Sequence, residues 1–115
     1  MYEDKINQEM EFLYDRCTSI LKKVHDFHKN NSLFKYDEIS NINLNYLISY
    51  LTELEILDEK VNDLSYSINK LQKIGSKNLD LLLFTKLVNL QNNIRKAKKI
   101  ENKFFSLKNF NKNID

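Results

Sequence analysis

Two histidines, one cysteine and a run of carboxylates are the side chains of this 115-residue chain best suited to chemistry. His25 and His28 stand three apart, and Cys17 lies about two turns before His25. The three make a partial zinc set, but a tetrahedral site wants four ligands, usually in closely spaced pairs. Cys17 also falls on an apolar stripe, where a free thiol behaves as a small hydrophobe. The expectation is a core cysteine, surface histidines and no metal. A di-iron carboxylate centre would need Glu three residues before each His; Lys22 and His25 occupy those places instead. Glu53, Glu55, Asp58, Glu59 and Asp63 read as a solvated acidic helix face. No nucleophile sits on a strained turn, and the single glycine, Gly75, cannot build a phosphate loop. The residues therefore point away from an enzyme and toward no cofactor.

Basic residues suggest a different chemistry. Residues 95–115 hold seven of the 18 Lys and Arg but two of the 16 Asp and Glu. Arg95, Lys98, Lys99 and Lys103 are expected to project opposite an apolar stripe of Ile100, Phe104 and Leu107. A basic amphipathic helix of this kind suits a phosphate backbone or an anionic membrane surface, here over residues 95–112. Only one of the four is Arg, the residue that grips phosphate in a bidentate fork.

The elements that must position these groups are helices. Ile6, Met10, Leu13, Cys17, Ile20, Val24 and Phe27 alternate spacings of four and three, an unbroken heptad seam. A second seam runs Leu47, Tyr50, Leu54, Leu57, Val61, Leu64, Ile68, Leu71 and stops before Gly75, a natural residue to end a helix. The third runs Leu79, Leu83, Leu87, Leu90, Ile94, Ala97, then is expected to shift phase to Ile100, Phe104 and Leu107, with Ser76 or Asn78 as its cap. One domain follows, over 1–115: helices at about 3–29, 43–74 and 77–108, a connection at 30–42 with room for a short helical turn, and a frayed tail at 109–115. The fold class predicted is all-α, an elongated antiparallel three-helix bundle with coiled-coil-like packing.

The front of the third helix carries more apolar surface than one seam needs. Leu81, Phe84 and Val88 fall roughly opposite Leu79, Leu83 and Leu87, with Leu82 between. Such a helix is either central or in contact with another chain. The first expectation for function is thus a non-enzymatic interaction subunit of a larger assembly, docking or self-associating through Leu81, Phe84 and Val88. A nucleic-acid-associated protein using the basic C-terminal helix, and a small immunity-type inhibitor with one cognate target, are the alternatives. Phe, Tyr, Met, Ile, Asn and Lys fill 58 positions against four for Gly, Ala, Arg and Pro. This bias marks an AT-rich genome and inflates every Lys and Asn count. The acidic start, Met1 to Lys5, has no apolar stretch behind it, and the longest apolar run is Leu81–Phe84. A soluble intracellular setting, cytoplasmic or nuclear, is expected, with no transmembrane segment.

Overall fold

The heptad seams become three helices in the computed structural model: α1 (Tyr2–Asn30), α2 (Asn41–Lys73) and α3 (Leu81–Ile114). The structure describes residues 2–31 and 41–114, with side-chain surroundings for 2–31 and 43–102. The fold is an all-α three-helix bundle in which every helix packs on both others. It measures 60 × 22 × 17 Å. No helix among the described residues is long and apolar enough to cross a membrane.

All seven α1 seam residues are buried, as are Leu47, Leu54, Leu57, Val61, Leu64 and Ile68 of α2. Tyr50 and Leu71 pack against that core from its edge. Burying a side chain of this size contributes roughly 1.5–3 kcal/mol, so the seams supply most of the drive for assembly. Acidic Glu3 and Asp4 open α1 and basic His28 and Lys29 close it, both favourable to the helix dipole.

The α2–α3 turn is held by backbone chemistry and by α1. Gly75, at φ 82°, donates its N–H to the Gln72 carbonyl at 3.0 Å, and Ser76 donates to the Leu71 carbonyl at 3.0 Å. This is a Schellman stop, and the positive φ is the reason for glycine there. The cap of α3 is Asp80, not Ser76 or Asn78: Asp80 Oδ1 accepts the Leu83 N–H at 3.0 Å. Ser76 and Asn78 instead serve α1. Glu3 Oε2 accepts from the Ser76 hydroxyl at 2.6 Å and the Asn78 N–H at 3.2 Å. Asn7 donates to the Asn78 carbonyl at 2.9 Å and accepts the Asp80 N–H at 3.0 Å. The helix consequently starts at Leu81 rather than near 77, and its backbone stays helical to Ile114, through most of the expected tail.

The expected change of phase in α3 does not occur at Ile100. Ile100 is 62% exposed, whereas Glu101 is 1% exposed. From Leu87 the inward line continues through Gln91, Ile94, Lys98 and Glu101, still alternating four and three. Polar side chains occupy three of those places because partners on α1 and α2 meet them there. Phe104 and Leu107, the rest of the expected stripe, lie outside the described side chains.

Candidate functional site

Side-chain pairs set the level of each helix against its neighbours. Ser76 with Glu3, Asp80 with Asn7, and Glu101 with His28 are each separated by 73 residues, so α1 and α3 run parallel in one register. Between α2 and α3 the pairs Asn62–Gln91, Asp58–Arg95 and Glu55–Lys98 descend antiparallel.

This ladder pairs part of the basic face with carboxylates and amides of α2. Gln91 donates to Asp58 Oδ1 at 2.8 Å and Asn62 Oδ1 at 2.6 Å. The Arg95 guanidinium lies 3.5 Å from Asp58 and donates to Asn62 at 3.3 Å. The Lys98 ammonium stands 3.8 Å from Asp58 and 3.9 Å from Glu55. Arg95 and Lys98 therefore neutralise carboxylates of their own chain and do not project away from the core as a free basic arc. Lys99 is exposed, and Lys103 lies outside the described side chains. The acidic stretch is corrected by the same contacts. Asp58 faces α3, Glu53 pairs with Arg16 of α1, and Glu59 and Asp63 remain at the surface.

The histidines part company. His25 is exposed, but His28 Nε2 bonds Glu101 Oε1, so His28 is not simply a surface residue. Cys17 is fully buried, and burial, with a smaller contribution from Asp58, pushes its thiol up to about 11. A thiol so placed is a packing group and not a nucleophile. Among the described residues no cluster of three or more His, Cys, Asp or Glu is arranged to hold a metal.

The apolar candidates lie where α2 and α3 meet, toward the turn. Leu81 is 45% exposed, while Phe84 and Val88 are half-buried. Phe84 is inward enough to join the core cluster together with Leu79. Those two residues occupy the positions before the Asp80 cap and four into the helix, which a hydrophobic staple brings together. Phe84 is therefore on the inward line of α3, three residues before Leu87, and not opposite its seam, and α3 is not a central helix, since every helix packs on both others. Extending the Asn62–Gln91 level by one turn puts Tyr66 level with Leu87 but on the outward face of α2, seven residues on from exposed Glu59. Tyr66 is exposed, with the Lys70 ammonium 4.5 Å from its ring centre. Tyr66 lies off the α2 seam, and periodicity alone did not select it. The seven-residue alternation through Leu87 and Ile94 already pointed to Glu101, but its charge disguised it.

Compared with known proteins, the chain matches no protein family, no curated protein and no solved structure.

A second groove, of about 590 Å³, runs between α1 and α2. Leu13 and Leu64 form its floor, exposed Phe12 its edge, and Lys5, Glu9, Lys60 and Asp63 its charged rim. Its alternating charges match no single ligand class.

Proposed function

We infer that this chain is a non-catalytic helical interaction subunit that docks a protein partner on the α2–α3 edge at Leu81 and Val88, with half-buried Phe84 beneath them and exposed Tyr66 of α2 to the side. The observation that carries this reading is the contrast along one edge. Near Glu55 to Asn62, the α2–α3 boundary is closed by ion pairs and hydrogen bonds. Toward the turn the α3 side of that edge is apolar instead, with Leu81 45% exposed and Val88 half-buried, and exposed Tyr66 stands on the outer face of α2. Clustered apolar groups with a polar border are the composition of protein-binding surfaces, and a tyrosine beside them is a common anchor. The pairing of Arg95 and Lys98 within the chain favours this reading over a phosphate-binding one.

The test is a comparison of variants in the native source. Tagged wild-type chain should retain a partner at fixed stoichiometry. Leu81→Asp and Tyr66→Ala should lose it with unchanged helicity, and Ile100→Asp, on the opposite flank of α3, should keep it. Retention by all three variants would sink the proposal. Phe84→Asp is the less informative change, because it disturbs the staple to Leu79 as well as the surface.

A further inference from the structure

We propose that Glu101 is a register pin, a buried charge that fixes how far α1 stands along α3. The α1 seam is apolar at every position, from Ile6 to Phe27. Sliding it by one heptad against an apolar neighbour would bury the same kinds of side chain, so α1 by itself specifies no register. Glu101 breaks that degeneracy. It is 1% exposed, one carboxylate oxygen bonds His28, and the other, Oε2, is buried with no hydrogen-bond partner among the described residues. A charge so placed is only half satisfied in the native arrangement. In a slipped arrangement its one partner would be replaced by the apolar Leu21 or by the end of α1, leaving the carboxylate wholly uncompensated. Buried polar groups in coiled-coil seams act in this way: they cost stability and select one alignment.

The contacts at the other end of the bundle share the 73-residue offset but are weaker selectors. Three of the four hydrogen bonds that Glu3 and Asn7 make to the turn are exposed. Water can replace an exposed hydrogen bond when the helix slides, whereas it cannot reach Glu101. Gln91 does not share the role, because its partners are on α2.

The experiment measures register directly. Spin labels at Gln8 and Lys99, exposed residues far apart along the bundle, report the longitudinal offset of α1 against α3. Cys17 needs no replacement, since it is buried with its thiol pushed up to about 11. Wild type and Glu101→Gln, whose amide still bonds His28, should each give a single distance. Glu101→Leu should melt at or above the wild-type temperature and show a second population displaced by on the order of 10 Å, one heptad of helix rise. A single native distance in Glu101→Leu would overturn the proposal and assign register to the remaining α1 contacts, those of Glu3 and Asn7 with the turn and of Arg16 with Glu53. A fall in melting temperature for Glu101→Leu, with Glu101→Gln unaffected, would overturn it too, by making the carboxylate a stabiliser. Neither outcome bears on the docking edge at Leu81 and Val88.

Discussion

Cys17 shows how a residue type that invites a chemical reading is settled by burial. Its thiol is held above its ordinary range, at about 11, because the ionised form would be stranded in the core. The folded state therefore holds the thiol proton more tightly than the unfolded chain does. That contribution is complete below the unfolded thiol pKa and is lost as pH climbs toward 11. Cys17→Ala should remove this component, so the stability gap between wild type and variant should shrink by on the order of 2 kcal/mol between pH 8 and 11. Denaturant titrations at both pH values measure it, and a constant gap would contradict the assignment. Gln91 is the other residue-scale case. Its amide meets Asp58 and Asn62 at a buried seam position, and Gln91→Ala should cost about 1–3 kcal/mol by leaving those acceptors under-bonded.

At the scale of elements, the two ends of the α2–α3 connection rest on different physics. Gly75 ends α2 because its φ of 82° is one that a side chain resists. No atom stands within 4 Å of where a Cβ would go, so Gly75→Ala should lose only the conformational term, about 1 kcal/mol. A larger loss in thermal unfolding would mean that the turn is also packed. Asp80 then starts α3 by accepting the Leu83 N–H, and Asp80→Ala should cost ~1 kcal/mol. Both positions are local signals. Gly75 was legible because it is unique in the chain, whereas Asp80 competed with Ser76 and Asn78, which α1 had taken.

The whole molecule is a rod. Its Cα radius of gyration is 17.6 Å, against roughly 13 Å for a compact chain of this length. X-ray scattering and light scattering on the purified chain should return a radius near that of the rod with a mass of 13.8 kDa. Twice that mass would show self-association, and its loss in Leu81→Asp would place the second copy on the apolar edge and make the docking partner the chain itself. The docking reading is itself a whole-molecule statement, since the edge exists only where α2 and α3 meet.

What the sequence determined by itself was everything periodic: three helices, the faces that α1 and α2 bury, the antiparallel hairpin around Gly75 and the elongated bundle. Heptad spacing is a local property, and a line of Ile, Leu and Val every three to four residues has one low-energy answer in water. What only the tertiary structure decided was the place of the polar residues. Ile100 looked like the continuation of the seam and Glu101 like its solvent side, yet they are reversed because His28 waits 73 residues away. Likewise Arg95 and Lys98 looked free until Glu55 and Asp58 came alongside. A stripe of apolar side chains fixes which face of a helix turns inward from local spacing alone, whereas a charge goes inward only where a distant partner receives it.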